Sequence, residues 1–499
     1  MKKILKNIPL LNTISNLILQ ITTMISAFIV PKIILSFFGS EVNGLTSSLG
    51  QLLDYISLLE GGVTGVIMAS LYKPLYDRNT EKISSIIATT RKFYRKIGII
   101  FIGYSLLLAI IYPLIFNTGF SYIYVFSLTI ILSVNLLMQY NFSLTLRTLL
   151  NADKKVYIVS LLQAGLIFIN IILAIVSVKI YPSIHLLKVL TSIAYIIQPL
   201  IYRYFVNKYF NLDKKAKMDK DLLKSRWNGF AINIAAFIHF NTDIAILTVF
   251  TDLKTVSIYS IYKLVTNGIN QLINAVASAL SPSIGHLYAS GNKEELEKKF
   301  DIYEFTVFIL VFGIYTVAAL LITPFVMIYT NNISDANYYQ PLFGILIILA
   351  EGMYVLKSPH VNLAYSANKF KEMTIPAYIE AGLNIIVSII LVQHLGLLGV
   401  AIGTLIAMTY RTLYQVIFLK KIIINRTLWK FFKKVIVYGI TSALIIFISI
   451  NFIPSVEFNI VSWVWHAIIY TIIMIVLYYI VSKLFYKNEL KKLFKFIKK

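Results

Sequence analysis

Residues 161–173, LLQAGLIFINIIL, lie without gaps over residues 378–390, YIEAGLNIIVSII, at an offset of 217. Each copy follows a similar polar turn, LLNADKK (149–155) in the first and AYSANKF (364–370) in the second. Two further pairs keep the same order. FFGSEVNGLTSSL (37–49) matches VFTDLKTVSIYSI (249–261) at an offset of 212, and ASLYKPLYDRNTEKI (69–83) echoes GHLYASGNKEELEKK (285–299). One such match is weak; three in order at nearly one offset indicate an internal duplication.

The duplicated units are built for a membrane. Of 499 residues, 58% are hydrophobic and 14% charged. The mean hydropathy is +0.77. A soluble domain carries about a quarter charged residues, so the chain is neither an ordinary soluble protein nor disordered. There are no cysteines, which excludes disulfides and thiolate chemistry. A membrane helix needs about 20 predominantly apolar residues. Fourteen stretches qualify: 10–38, 44–72, 96–116, 122–146, 156–180, 184–204, 226–251, 255–285, 301–329, 339–366, 372–394, 396–420, 434–454 and 459–482. The second and eighth are the most polar. The repeat offset covers six spans, an even number, so the copies share one orientation and form parallel repeats. The expected organisation is an N-lobe over 1–207, a basic cytoplasmic linker over 208–225, a C-lobe over 226–424, two appended spans over 425–484, and a basic amphipathic cytoplasmic tail over 485–499.

Charge sets the orientation. The net charge is +24, and 39 of the 46 Lys and Arg residues fall in the N-terminal tail, the even-numbered connections and the C-terminal tail. The odd-numbered side holds Lys179, Lys188 and Lys254, and the remaining Lys32, Lys263, Lys357 and Arg411 lie inside spans. This is the positive-inside pattern with both termini cytoplasmic. The N-terminal stretch 10–38 is read as an uncleaved first helix, being long for a signal peptide and carrying Asn12, Asn16 and Gln20. The basic tail reads as a surface helix resting on anionic lipid. Nucleic acid is not an expected partner.

A charge at mid-bilayer costs about 2.5–3.5 kcal/mol on insertion scales, so it ordinarily faces a cavity or a partner. Span 8 carries Lys263, Asn267, Asn270 and Asn274 at spacings of four, three and four, which share one helical face. This stripe either lines a polar cavity or joins helices through Asn side chains; Lys263 adds a charge that simple joining does not need. Span 2, its repeat partner, carries Asp54 and Glu60 beside Gly61 and Gly62, glycines that permit close packing or a kink. Span 1 has Asn16 and Gln20; span 7 has Asn233, then His239 and Asp243 four apart. The last two fit a proton-coupling pair or plain hydrogen-bonded packing. Spans 1, 2, 7 and 8 thus occupy matching places in the repeats, and two lobes facing one polar cavity is the expectation. Arg147 in span 4 either snorkels or joins Asn135, Gln139 and Ser143 in that cavity. Glu351 and Lys357 of span 10 are six apart, so each requires a partner elsewhere, as does Arg411 of span 12. Glu380 is read as structural, since the repeat places Gln163 there.

Catalytic signatures are missing. The sequence has no GxxxxGK[ST] loop, no HExxH, no nucleophile elbow and no His cluster at metal spacing. Connections on the outer side are short. The chain reads as a conduit, not an enzyme.

With spans, repeat and orientation in place, the chain resembles the multidrug/oligosaccharidyl-lipid/polysaccharide (MOP) exporter superfamily. The phrases VPKIILSFFGSEVNGLTSSLGQLLDYISLLEGGVTGVIMASLYKPLYD (30–77) and LKTVSIYSIYKLV (253–265) are similar to its polysaccharide-transporter branch, the Wzx-type flippases. The resemblance implies an all-α fold of fourteen transmembrane helices: two parallel six-helix lobes plus two C-terminal helices. It implies transfer of a polyprenyl-(pyro)phosphate-linked oligosaccharide from the inner to the outer leaflet of a bacterial plasma membrane by alternating access, for surface polysaccharide synthesis. Lipid-linked oligosaccharide and membrane lipids are the implied ligands, with polysaccharide polymerase or glycosyltransferases as partners, and a monomer is expected. No cofactor is implied, and a coupling ion, Na+ or H+, is left open. Related lipid-linked precursor flippases place basic residues on helices 1, 2 and 8. Lys263 fits the last; span 2 departs with Asp54 and Glu60, leaving Arg147, Lys357 or Arg411 for the pyrophosphate. The alternatives are a cation-coupled multidrug exporter of the same superfamily, a membrane enzyme or polymerase, and a non-transporting assembly partner.

Overall fold

The computed structural model describes residues 7–497 apart from 117, 214, 220–221, 223–229, 368 and 423–425. The described residues form helices and connections, with no strand. Two compact units can be distinguished, 1–237 with 251–257 and 238–250 with 258–499.

In the first unit, α1 (Ile8–Asp54) runs 47 residues and turns at Gly39, whose φ of 81° and ψ of −179° favour a residue without a Cβ. The first two expected spans are therefore two helical arms that meet at a kink on a glycine. The second arm does not continue smoothly to residue 72. It tightens into a 3-10 turn at Tyr55–Leu59, breaks over Gly61 and Gly62 with φ of 49° and 81°, and restarts as α2 (Val63–Tyr76). Then come α3 (Thr80–Ile115), opened by the Asn79 side chain accepting from the Lys82 amide at 2.8 Å, and α4 (Tyr122–Met138). A π turn at Gln139–Ser143 leads into the short α5 (Leu144–Ala152), α6 (Val156–Ile180) and α7 (Ile184–Tyr209). α1 packs on α6, and α3, α4, α6 and α7 close the unit around Tyr94, Phe101, Tyr140 and Tyr202. Where α1 passes Leu253, a Cβ on Gly44 would stand 1.8 Å from the Leu253 carbonyl oxygen, so the two backbones are in direct contact.

The second unit takes most of α8 (Phe230–Phe250) and α9 (Leu253–Ala289). It continues with α10 (Lys293–Tyr329), α11 (Pro341–Leu356), α12 (Ser358–Ser366), α13 (Thr374–Leu395) and α14 (Leu397–Ile422). α15 (Leu428–Phe452), α16 (Ile460–Phe485) and α17 (Lys487–Ile497) complete it. α13 and α14 form a tight hairpin, and α10 packs on α11, α15 and α16.

The duplication reappears in the helix breaks. α5 (Leu144–Ala152) and α12 (Ser358–Ser366) are both nine-residue segments following an interruption, and they stand 214 residues apart. Eleven helices among the described residues are long and apolar enough to cross a membrane, the run Ile8–Leu59 counted once although it has two arms; Phe237–Phe250 is a shorter apolar helix, and α9 is not among the eleven. Several helices begin earlier than their apolar stretches, α3 at Thr80 and α10 at Lys293, because polar first turns extend them beyond the apolar segment. The chain is a multi-pass membrane protein.

Candidate functional site

Two residues of the polar stripe of α9, Lys263 and Asn270, meet one acid within the second unit. Lys263 Nζ pairs with Glu351 Oε1 of α11. Asn270 Nδ2, two turns further along the stripe, donates to the other carboxylate oxygen at 2.6 Å, and Tyr315 of α10 donates its hydroxyl to Asn270 Oδ1. On α8, His239 places Nε2 3.7 Å from Glu351 Oε2 and stacks on Tyr354, with ring centroids 4.3 Å apart and planes 9° from parallel. Glu351, His239 and Lys263 are 0%, 1% and 6% exposed. Asp243 lies one turn beyond His239. Its hydrogen bonds come from Tyr259 at 2.7 Å and Thr404 of α14 at 3.1 Å, and not from His239. Thr404 in turn receives Asn384 Nδ2 at 2.9 Å. Lys263 thus has the carboxylate partner that a buried ammonium requires. Asn267 and Asn274 are half-buried on the same helix.

A second group lies at the interruption before α12. Lys357 Nζ is 2.9 Å from Glu380 Oε1, and Arg411 Nε is 3.2 Å from Glu380 Oε2. Arg411 also donates to the Met373 carbonyl at 3.4 Å. One carboxylate of α13 therefore serves cations of two other elements. The partner that the sequence required for Lys357 and Arg411 is the residue it had marked only as structural.

A third group was not singled out in the sequence. Glu304 of α10 is fully buried and accepts from Arg426 Nη1 at 2.8 Å, from Arg426 Nη2, and from Lys434 Nζ at 2.5 Å, while His360 Nε2 of α12 stands 3.0 Å away. Burial alone would lower the Arg426 pKa, but the Glu304 and Asp301 carboxylates hold it above its ordinary value. Arg426 and Lys434 count among the cytoplasmic basic residues of the topology argument, and both are buried in this clamp. The missed signal is Glu304 itself, an acid set just inside the run EKKFDIYEFTVF.

The first unit is arranged differently. Asn12 Nδ2 donates to the Lys154 carbonyl and Asn12 Oδ1 accepts from the Tyr157 amide, both at 2.9 Å, and Asn16 Oδ1 accepts from Ser160 at 2.6 Å. These asparagines join α1 to the start of α6. Gln20 is exposed on α1, and Asp54 is exposed at its end. Glu60 occupies the break before α2, where it accepts from Thr64 and lies 3.4 Å from the Tyr94 hydroxyl. Arg147 of α5 is half-buried and makes no ion pair among the described residues. It and Glu60 both act electrostatically on Tyr94 and Tyr140. The side chain of Asn233 lies outside the described residues.

The fold has known counterparts. A solved structure described as Lipid II flippase MurJ, inward closed conformation, matches with a TM-score of 0.71 and 18% identity over 96% of this chain and 99% of that one. An inward-facing multidrug resistance MATE family transporter of the MOP superfamily matches at 0.61, with 13% identity over 80% of this chain and 94% of that one. The chain has the MOP fold. A eukaryotic MATE transporter matches at 0.55, with 12% identity over 87% of this chain and 98% of that one. At such identities the likeness is one of fold. No family model matches the chain. In sequence, 217 residues are 27% identical to an uncharacterized membrane protein of Methanocaldococcus jannaschii, spanning 43% of this chain and 41% of that protein's length.

Proposed function

We propose that this protein flips a polyprenyl-(pyro)phosphate-linked oligosaccharide repeat unit from the inner to the outer leaflet, by alternating access, for surface or capsular polysaccharide synthesis. The observation that carries the reading is the extent of the fold likeness. The likeness to the lipid II flippase runs over 96% of this chain, against 80% for the inward-facing MATE family transporter. In this reading the lobes are 1–207 and 226–424, the linker and both termini are cytoplasmic, and the membrane is a bacterial plasma membrane. Lys263, Asn267, Asn270, Asn274, Asp54, Glu60, Asn16, Gln20, Asn233, His239, Asp243, Arg147, Lys357 and Arg411 are the candidate residues along the substrate path. Sugar hydroxyls meet the amides. The pyrophosphate meets cations, and these differ in availability: Lys263, Lys357 and Arg411 each hold a carboxylate, so a phosphate has to compete for them, whereas Arg147 holds none among the described residues.

The test is depletion of the protein in its host, followed by extraction of polyprenyl-linked sugars. Accumulation of a complete repeat unit on the carrier, with loss of surface polymer, supports flipping. The MATE likeness supports a second reading, cation-coupled drug export; unchanged lipid-linked sugars with increased sensitivity to cationic drugs select it. Short, unpolymerised units exposed at the surface place the protein after translocation and overturn the proposal.

A further inference from the structure

The buried cluster of the second unit holds two carboxylates, Glu351 and Asp243, and one ammonium, Lys263, paired with Glu351. A proton on His239 or on Asp243 balances the cluster; Asp243 accepts hydrogen bonds from Tyr259 and Thr404 as a carboxylate does, which leaves His239. With both carboxylates ionised and a neutral imidazole the four groups sum to one negative charge; with an imidazolium they sum to zero. The imidazole is also left unsatisfied. It is 1% exposed, yet neither ring nitrogen makes a hydrogen bond, although buried polar groups are ordinarily paired. Nε2 points at Glu351 Oε2 from 3.7 Å, about 1 Å beyond the reach of a charge-assisted hydrogen bond.

We propose that His239 is a proton-binding site whose occupancy decides whether Lys263 is free to meet an anionic ligand. The division of Glu351 supplies the mechanism. Oε1 is taken by Lys263, and Oε2 by Asn270 at 2.6 Å. A proton from water bound on the imidazole turns the ring into a cation that advances onto Oε2, sliding over the Tyr354 ring, while Asn270 gives way toward Tyr315. Glu351 then keeps a counter-ion of its own, and a phosphate can draw Lys263 away without stranding a bare buried carboxylate. With His239 neutral, the same movement leaves Glu351 unpaired in a dry site, which is strongly unfavourable. Glu351 and Tyr354 from α11 contact the imidazole; the charged and titratable groups of the same cluster are Lys263 of α9 on Glu351, Tyr315 of α10 on Asn270, and Asp243 on the same helix as His239, which is met by Tyr259 of α9 and Thr404 of α14. Lys357 Nζ also lies 4.5 Å from the Tyr354 ring centroid, with its charge answered by Glu380.

The proton site stands on the geometry alone; its consequence for an anionic ligand rests on the flippase reading. Two measurements on the purified full-length chain separate them. In the first, ring nitrogens of 15N-labelled histidine are followed by NMR from pH 5 to 8.5, with His239→Asn assigning the signal. One proton is expected on His239 in this range, and Glu351→Gln is expected to move the midpoint down by a pH unit or more, a tenfold loss in proton affinity. A ring that stays neutral throughout, or a midpoint indifferent to Glu351→Gln, overturns the proposal. In the second, farnesyl pyrophosphate is titrated against the protein in nanodiscs. Affinity is expected to rise on acidification through the His239 midpoint by up to about tenfold per pH unit, beyond the change in His239→Asn and His239→Gln, and to be low at every pH in Lys263→Gln. A wild-type profile in both His239 variants, or an affinity set by Na+ and not by pH, overturns the proposal. No pyrophosphate binding at any pH, with His239 still titrating, removes the flippase reading and leaves the proton site in place.

Discussion

Replacing Glu304 by Gln tests the electrostatic account of the fold most severely. The carboxylate accepts from both terminal nitrogens of Arg426 and from Lys434, with His360 beside it, and it is 0% exposed. Gln keeps the shape and loses the charge. Arg426 then retains Asp301 at 2.9 Å, but Lys434, 3% exposed, has no other carboxylate among the described residues. Removing one partner of a buried pair ordinarily costs about 3–5 kcal/mol, because the other charge is left uncompensated. The loss falls on the contact between α10 and α15, so the appended helices are the part expected to loosen. The assay is equilibrium unfolding in mixed micelles with increasing SDS, read by tryptophan fluorescence. Trp463 of α16 is a suitable reporter, since its indole nitrogen donates to the Leu321 carbonyl of α10 at 3.1 Å. The double variant Glu304→Gln/Lys434→Met removes both charges and is expected to recover about 1–3 kcal/mol of the loss. Glu294→Gln, which breaks an exposed pair with Lys298 on the same helix, is expected to change nothing measurable. A Glu304→Gln protein within about 0.5 kcal/mol of wild type, the scatter of ordinary surface substitutions, would refute the clamp.

Three further outcomes are expected. Lys263→Ala is expected to impair transport in a complementation assay, and Lys263→Ala/Glu351→Gln, which leaves no bare buried carboxylate, to impair it equally with normal membrane expression; full activity of the double variant removes Lys263 from the substrate path. Gly44→Ala forces a Cβ against the Leu253 carbonyl and is expected to lower stability by at least about 1–3 kcal/mol, the usual cost of overpacking. Gly50→Ala, with open space around its Cβ position, is expected to match wild type in the same SDS titration, and equal behaviour of the two variants contradicts the close contact. An alkaline phosphatase fusion after Asn332, between α10 and α11, is expected to be active outside and one after Lys371 inactive; the reverse pattern inverts the topology.

The fold was legible because its signals are local and redundant. Apolar length, the alternation of basic connections and the offset of about 217 each constrain the same architecture. Helix interruptions were less legible. Gly39 kinks the chain through its own φ and ψ between two helical arms, and nothing in LLEGGVTG says that the restart comes at Val63. Pairings were the least legible part. Lys263 and Glu351 are 88 residues apart, and Arg426 and Glu304 are 122 apart. The cost of a buried charge demands a partner for each, but it does not say which acid of another helix supplies it. Glu380 illustrates the difficulty. Its repeat counterpart is the neutral Gln163, and a comparison of the copies therefore argued for packing where the structure has a shared counter-ion.

That last contrast reaches further. The two units keep the same helix breaks, with α5 and α12 of equal length 214 residues apart, and yet they have diverged electrically. By this offset Lys357 stands where the first copy has Ser143, and Arg147 stands where the second has Val361. Each copy therefore carries one cation near the break, but only Lys357 has its charge met by a carboxylate in its own unit. The buried ion pairs described above, around Glu351, Glu380 and Glu304, all lie in the second unit. A backbone shared by descent preserves where a helix can bend. The placement of acids and bases sets what the bend responds to. In the second unit, moving Lys357 requires Glu380 to keep Arg411 as its remaining counter-ion, so the bend is tied to charge; in the first, Arg147 moves without separating an ion pair among the described residues. On the proposed reading, a proton or an anion acts on the second unit more than on the first. The titration of His239 and the affinity for a pyrophosphate are accordingly the measurements most sensitive to the second unit's chemistry.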